Sequence, residues 1–328
     1  MIRKLIKGGI FLSIGIVVAY GINWILLSNY RSLKTGDFGV WNAVIEGKVN
    51  ADILISGSSR ALVHFASDTI SSIMENKTCY NIGLDGSPLN LQLPFLQTYL
   101  QFNRPPQIFV QELDITCLKV RKDIHNPSMY LPYLDQKYIY TNLLSLDKEF
   151  WRYKYIPLYG YALAPYYYKE IAFFKLIGRT EVEFRYDGFM PVNKSWGNEF
   201  ENFKKDNPMG ISYDIDPTAI ENLKSIIRLA QKSGAKVILV YSPEYYENYD
   251  LTLNRGALFD VFHQIAAEFE VPFWDYSNGP LTHDKQYFYN SQHLNQKGAY
   301  TFSRLFAERL RDYLHNESDS LLANKKPD

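Results

Sequence analysis

Five short apolar segments, each followed by a stretch with helical periodicity, constrain the fold of this chain more than any other feature. The segments are residues 53–56, 79–83, 108–113, 236–241 and 271–275. Apolar spacing predicts helices over residues 61–75, 89–100, 217–233, 255–269 and 296–314. Strands that alternate with helices favour a mostly parallel sheet with helices on both faces. The pattern predicts an α/β, flavodoxin-like three-layer fold, in which ligands bind beyond the carboxyl ends of the strands.

The N-terminus carries about 20 uncharged, mostly apolar residues after Arg3, Lys4 and Lys7. At about 1.5 Å rise per residue, such a helix crosses the roughly 30 Å hydrocarbon core of a bilayer. The apolar run is longer than that of a cleavable signal peptide, and its charge-free length argues against a buried soluble helix. Because positive charge flanks its N-terminal side, we expect a single-pass anchor in the inner (cytoplasmic) membrane, with the N-terminus in the cytoplasm and the main domain periplasmic.

The chain divides into four predicted parts. Residues 1–29 form the transmembrane anchor, 30–50 a juxtamembrane connector, 51–316 the α/β domain and 317–328 a disordered polar tail. An insertion at about 119–215 interrupts the domain, is predicted to be helical over about 155–177, and holds thirteen of the 26 tyrosines. Its aromatic rings suit sugar binding over the site, packing against the sheet, or contact with the membrane surface.

Charge and cysteine usage exclude several function classes. The 35 basic and 35 acidic residues cancel, and no basic run follows the first seven residues, so we expect no nucleic-acid partner. No glycine-rich phosphate loop or metal-ligand spacing occurs, so we expect neither cofactor nor metal. Cys79 and Cys117 could form a disulfide, but their positions beside predicted central strands favour buried free thiols.

Two distant segments supply a candidate nucleophile and a candidate base. Gly57-Ser58-Ser59 follows the first strand, and His293 precedes the last predicted helix. A serine on a tight strand-to-helix turn presents its hydroxyl at the edge of the sheet, where helix N–H groups can stabilise an oxyanion. A Gly-Ser turn that only caps a helix is the structural alternative for this segment.

Together the two segments resemble the SGNH (GDSL-like) hydrolase superfamily over residues 50–118 and 217–314. The resemblance implies that Ser59 is the nucleophile and His293 the base, with Ser58 in the place of the family's Asp. It also implies an oxyanion hole made by the N–H groups of Ser59 and Gly83, since residues 81–83 match the second family block.

The sequence departs from the family pattern at two further places. The third block, residues 110–114, lacks the family's Asn, so one oxyanion donor is missing or comes from elsewhere. Asn290 stands where the family has an Asp, three residues before His293. An amide can orient the imidazole but adds no charge to stabilise the imidazolium. Asp284 is a candidate surrogate acid, and Glu244, after the fourth strand, a candidate substrate contact.

The resemblance is strongest to membrane-anchored proteins that accompany O-acylation of envelope polysaccharides. It implies a serine esterase or O-acyltransferase that acts on acyl esters, with an acylated carbohydrate as substrate and a membrane-bound O-acyltransferase as partner. The alternative is a catalytically inactive SGNH-like protein that binds or assembles with such a system. The three missing polar groups favour that alternative, whereas the joint presence of Ser59, Gly83 and His293 favours an enzyme.

Overall fold

A computed structural model describes residues 1–119, 124–178, 185 and 187–323. The described residues divide into two compact units. The first unit contains those of 1–48, 97–102 and 122–183, and the second unit contains those of 49–96, 103–121 and 184–328.

The described elements alternate along the chain much as the apolar pattern predicts. The strands are β1 Ile53–Ser56, β2 Cys79–Asn81, β3 Ile108–Leu113, β4 Lys236–Tyr241 and β5 Phe273–Asp275. The α-helices are α1 Ile2–Arg31, α2 Gly36–Ile45, α3 Ser59–His64, α4 Ser67–Ile73, α5 Leu89–Phe102, α6 Lys137–Leu146, α7 Trp151–Tyr155, α8 Tyr159–Leu163, α9 Tyr166–Leu176, α10 Glu199–Asp206, α11 Pro217–Lys232, α12 Glu247–Leu251, α13 Arg255–Glu268 and α14 Gln296–Ala323. Short 3₁₀ helices cover Pro127–Tyr133, Lys148–Phe150 and Lys285–Tyr287.

The five strands form one parallel sheet in the order β2-β1-β3-β4-β5. In register, Ile55 pairs with Asn81 on one side and Val110 on the other, and Val110 pairs with Ile238. This strand order confirms the flavodoxin-like prediction, and it brings the ends of β1, β2 and β3 to one edge of the sheet.

Helices cover both faces of the sheet because successive strand residues point to opposite sides. On one face, Ile55 and Val110 share a buried cluster with Phe302 of α14, which packs along α3 and α4. On the other face, the ring of Tyr241 lies 4.8 Å from that of Phe259 in α13. The apolar core of the second unit therefore lies on both sides of the strands and supports their carboxyl ends.

One predicted helix, residues 61–75, is wrong as a single element. The structure has α3 and α4 instead, with Phe65 and Ala66 in extended conformation between them. The backbone groups freed at this break find side-chain partners. Asn81 Nδ2 donates to the carbonyl oxygens of Ala61 and Phe65 at 2.7 and 3.1 Å, and the Ala66 N–H donates to Ser303 Oγ at 2.7 Å. These partners lie far away in sequence, so apolar spacing alone could not locate the break.

The first unit is built around α1, which is long and apolar enough to cross a membrane. Residues 2–18 of α1 are exposed, whereas Leu26 and Tyr30 are buried. The Tyr30 ring stacks on Phe38 with 4.6 Å between centroids, and its hydroxyl donates to the Tyr168 carbonyl oxygen at 2.7 Å. The C-terminal third of α1 is thus part of a folded unit.

The predicted insertion is shared between the two units. Residues 124–178, with α6 to α9, belong to the first unit, whereas residues 187–215 belong to the second. The last helix was predicted to end near Leu314, but α14 extends to Ala323 because no Gly or Pro interrupts the chain before Pro327. The predicted tail is therefore helical at its start, and residues 324–328 lie outside the described residues.

Candidate active site

Ser59 opens α3 directly after the turn that ends β1. Gly57 in this turn has φ +154°, and a Cβ there would lie 2.7 Å from Ala61 Cβ and 2.9 Å from Glu112 Cβ. Only glycine fits this close approach. Ser58 is the extended N-cap residue, so the chain enters the helix with the half-buried Ser59 hydroxyl at the carboxyl edge of the sheet.

Ser59 and His293 meet although 234 positions separate them in sequence. Ser59 Oγ lies 2.8 Å from His293 Nε2, and His293 Nδ1 lies 3.0 Å from Asn290 Oδ1. Asn290 Oδ1 also accepts hydrogen bonds from the backbone N–H groups of Gln292 and His293, at 3.0 and 2.9 Å. Because this oxygen can only accept, Nδ1 must carry the proton, and Nε2 is left to accept from the Ser59 hydroxyl.

Burial and, to a smaller extent, the positive charge of Arg60 lower the pKa of His293 to about 4, while Asp114 opposes the shift. The imidazole is therefore neutral at pH 7 and ready to accept a proton. The same environment disfavours the imidazolium that forms once it has done so, and neutral Asn290 does not offset this effect.

A buried polar network lies beneath the Ser59–His293 pair. The Leu294 N–H donates to His64 Nε2 at 3.0 Å, so His64 must donate through Nδ1 to Ser242 Oγ at 2.8 Å. Ser242 Oγ in turn donates to Glu112 Oε1 at 2.9 Å, and Arg60 Nε lies 3.3 Å from that same oxygen. This chain of contacts ties α3, β3 and β4 to the loop that carries His293.

A polar cavity of about 100 Å³ opens beside the candidate nucleophile. Ser58 Oγ donates to Asp114 Oδ2 at 2.7 Å. Ser87 is 3% exposed, and its hydroxyl has no hydrogen-bond partner among the described residues. Ser87 carries no sequence motif, so only its place in the fold reveals it. The cavity is lined by side chains that include Ser59, Ser87, Asp114, Thr116, Cys117 and Gln292.

The N–H of Gly83, the predicted second oxyanion donor, already has an acceptor. It donates to Asn81 Oδ1 at 2.9 Å, and a Cβ on Gly83 would lie 2.6 Å from the Leu62 nitrogen. Glycine is thus needed for close packing of this turn against α3. Donation from Gly83 to an oxyanion would require the bond to Asn81 to open.

The other candidate residues have partners away from His293. Asp284 caps a 3₁₀ helix by accepting from the Gln286 N–H at 2.9 Å, and the position beside His293 Nδ1 belongs to Asn290. Glu244 is fully buried, accepts from Tyr241 at 2.8 Å and pairs with Arg255, so its prediction as a substrate contact is wrong.

The two cysteines and the possible metal ligands of the described residues bear on two expectations from the sequence. Cys79 and Cys117 are both buried and free, as the sequence favours. Within residues 1–119, 124–178, 185 and 187–323, no group of three or more His, Cys, Asp or Glu residues could hold a metal ion.

Comparison with known proteins finds similarity of structure and none of sequence. No family model and no curated protein matches the chain. A GDSL-like lipase from Bacteroides thetaiotaomicron matches with a TM-score of 0.39 and 9% identity, covering 85% of this chain and 100% of the lipase. The inhibitor-bound aryl esterase of M. smegmatis matches with a TM-score of 0.37 and 12% identity, covering 79% of this chain and 98% of the esterase. At these identities and TM-scores the neighbours assign neither a family nor an activity to this chain, and any activity must be argued from the side chains themselves.

Proposed function

We propose that this protein is a serine esterase or O-acyltransferase that acts on acyl esters of a cell-envelope polysaccharide. In this proposal α1 anchors the chain in the cytoplasmic membrane, the second unit lies outside the cytoplasm, and a membrane-bound O-acyltransferase is a partner. The observation that carries the catalytic part is the chain of contacts from Ser59 Oγ to His293 Nε2 and from His293 Nδ1 to Asn290 Oδ1.

The geometry supports acyl transfer in two halves. In the first, Ser59 Oγ forms a bond to the ester carbonyl carbon while its proton passes to His293 Nε2. His293 then gives that proton to the leaving alkoxide as the ester bond breaks, and the acyl group stays on Ser59. In the second, water or a sugar hydroxyl attacks the acyl-serine, with His293 taking and returning one proton. Water gives hydrolysis, and a sugar hydroxyl gives transfer.

Two groups beside Ser59 are suited to stabilise the oxyanion of each tetrahedral intermediate. The Ser59 N–H lies in the first turn of α3, where backbone N–H groups have no carbonyl partner within the helix. The Ser87 hydroxyl lines the same cavity and is buried without a partner. We assign Ser87 Oγ as the side-chain donor that replaces the Asn missing from the third block.

The size and lining of the cavity suit a short acyl group. A volume of about 100 Å³ with Asp114 and Thr116 in its wall leaves little apolar surface for a long chain. An assembly partner without catalysis is the competing function, and it is favoured by neutral Asn290 and by the lowered pKa of His293.

The test is covalent labelling of the full chain in detergent with a fluorophosphonate probe, which reacts with activated serines. We expect labelling of the wild-type chain and none in Ser59→Ala or His293→Ala. Ser72→Ala, at an exposed serine in α4 of the same unit, is the matched control and should label normally. A folded wild-type chain that does not label, or a Ser59→Ala variant that still does, would remove the esterase proposal in favour of the binding partner.

The same experiment tests Ser87. Ser87→Ala should still label, but about 10²-fold more slowly, because the phosphonyl oxygen develops charge where the oxyanion donor is missing. Ser87→Thr keeps a hydroxyl and should recover part of that rate. Equal rates for wild type and Ser87→Ala would exclude Ser87 as a donor.

A further inference from the structure

Large apolar side chains are exposed in one restricted part of the chain beyond α1. Among the described residues that follow α1, three exposed large apolar side chains lie apart from that part: Met209, Tyr246 and Leu253. The remaining exposed large apolar side chains all fall within residues 138–177: Tyr138, Trp151, Tyr155, Ile156, Leu163, Tyr166, Tyr167, Phe173 and Ile177. An apolar surface of this extent on a folded unit marks a binding surface. We call residues 138–177 the collar.

The collar is attached to α1 by specific hydrogen bonds. Tyr20 Oη donates to the Tyr155 carbonyl oxygen at 2.8 Å, and the Leu158 N–H donates to Asn23 Oδ1 at 3.0 Å. Along α1, Ala19 and Asn23 are the first partly buried residues, and Leu26 is the first buried one. The collar thus covers one stripe of α1, and the opposite side of the helix stays exposed.

The length of α1 sets the depth of these contacts. If Lys7 marks the inner boundary of the hydrocarbon, a rise of about 1.5 Å per residue places the outer boundary about 20 residues later, near Leu27. Tyr20 and Asn23 then lie roughly 10 and 6 Å inside that boundary. The chain segment that they hold, residues 155–158, must therefore reach the outer edge of the hydrocarbon.

We propose that the collar is a membrane-docking surface that lies in the outer interface of the same bilayer that α1 crosses. This inference rests on the anchoring part of the proposed function. The partner is lipid, contacted at the level of the headgroups and the upper acyl chains. The hydrogen bonds at Tyr20 and Asn23 join the collar to α1, and both segments carry exposed apolar side chains.

The composition of the collar fits lipid better than sugar. Aromatic side chains prefer the membrane–water interface, and basic side chains beside them suit anionic headgroups. Lys154 Nζ lies 3.9 Å from the ring centroid of Tyr140, and Arg152 lies 5.9 Å from that of Trp151. The exposed aliphatic side chains of Ile156 and Leu163 would have no role in stacking on sugar rings.

Spin labels at single introduced cysteines test the proposal in the full chain. We would label Tyr166→Cys and Leu163→Cys in the collar, Val17→Cys in α1 and Met209→Cys in the second unit, all at exposed positions. Cys79 and Cys117 are buried, and burial raises the pKa of both thiols, so the wild-type chain should take up little label and serves as background. The protein is reconstituted in vesicles of phosphatidylethanolamine and phosphatidylglycerol.

The measurement is the ratio of collisions with oxygen, which enters hydrocarbon, to collisions with a water-soluble nickel chelate. We expect the collar labels to exceed the Met209 label about fivefold or more, and the Val17 label to give the highest ratio, because the bilayer interior excludes polar solutes. Replacing the vesicles by a carrier that contains no lipid should lower this ratio for the collar labels, because no bilayer then covers them.

Each other outcome overturns a different statement. A deep Val17 label with collar labels as accessible to nickel as Met209 would leave the anchor standing and exclude the docking surface. A Val17 label accessible to nickel would overturn the anchor itself. Collar labels shielded from both reagents would indicate a protein partner, and dipolar broadening between them would identify that partner as a second copy of this chain.

Discussion

Asn290 determines how strong a base His293 can be. All three hydrogen bonds described for Asn290 use Oδ1, one to the His293 ring and two to backbone N–H groups. It therefore holds the loop and the tautomer as a carboxylate would, but it contributes no negative charge. Burial and Arg60 both lower the pKa of His293. Asn290 therefore orients the imidazole but does not stabilise the charge of the imidazolium.

Asn290→Asp should therefore strengthen catalysis. A carboxylate accepts the same three bonds, and its charge should raise the pKa of His293 from about 4. Under the proposed function, we expect the acid limb of kcat/KM for p-nitrophenyl acetate to move to higher pH than in the wild type. Turnover at pH 7 should rise at least about tenfold, a small part of the ~10⁴ that the reverse change costs a serine protease. Asn290→Ala is the control and should lower turnover; an unmoved acid limb in Asn290→Asp would contradict this account.

At the scale of elements, His64 joins α3 to the loop before α14. Its two ring nitrogens contact the Leu294 N–H and Ser242 Oγ, and its carbonyl oxygen accepts from Ser303 Oγ at 3.1 Å. Leu294 is the residue next to His293. The break between α3 and α4 is thus the point at which the helix that carries Ser59 and the loop that carries His293 are held together.

His64→Ala should destabilise the protein by about 3 kcal/mol, because it leaves the buried Leu294 N–H without its acceptor, removes one hydrogen bond of Ser242 Oγ and opens a small cavity. Burial lowers the pKa of both His64 and His293, so below the unfolded pKa of about 6.5 the unfolded chain binds protons that the folded chain does not. Stability should be full above that pH and fall as the pH drops towards about 4.

Urea unfolding at pH 7 and pH 5 measures both effects. His64→Ala should lower the free energy of unfolding at pH 7. Between pH 7 and pH 5 the free energy of unfolding should fall less in His64→Ala than in the wild type, since one of the two histidines is gone. His315→Ala, at an exposed position in α14, should change neither quantity. Equal pH dependence in wild type and His64→Ala would show that His64 is not held neutral.

At the scale of the whole molecule, the described residues divide into two compact units, and α1 belongs to the first of them. The Tyr30 hydroxyl donates to the Tyr168 carbonyl oxygen, and the Tyr30 carbonyl oxygen accepts from Asn42 Nδ2 at 2.9 Å. Arg31 Nε donates to the Pro132 carbonyl oxygen at 2.7 Å. The C-terminal end of α1 is therefore a structural part of the first unit as well as the end of its apolar stretch.

Truncation should separate these two roles of α1. A chain that begins at residue 32 loses Leu26 and Tyr30 from the core of the first unit, so we expect rapid chymotryptic cleavage within residues 138–168 while the second unit stays resistant. A chain that begins at residue 19 loses only exposed residues and should be cleaved as slowly as the full chain. The full chain and the two truncated chains are digested in the same detergent, and mass spectrometry of the fragments locates the cleavage sites in each. Equal resistance of all three would mean that α1 does not stabilise the first unit.

Much of the fold and part of the candidate site could be predicted from local sequence. The strands and α11, α13 and the start of α14 carry their own periodicity and punctuation, so their predicted bounds differ little from the observed ones. Ser59 and His293 were found because each stands beside such an element in a recognisable turn. The roles of Ser87 and His64 were not predicted, since a lone serine and a helical histidine have no local sequence signature.

The amino-acid sequence by itself determined the parallel sheet, because apolar periodicity and turn residues act over short distances along the chain. Only the tertiary structure decided what depends on contacts between distant segments. The break at Phe65 and Ala66 is stabilised by Asn81 and Ser303, and the engagement of the Gly83 N–H also depends on Asn81. The pKa of His293 is likewise set by burial and by the proximity of Arg60, and both arise only when the chain folds.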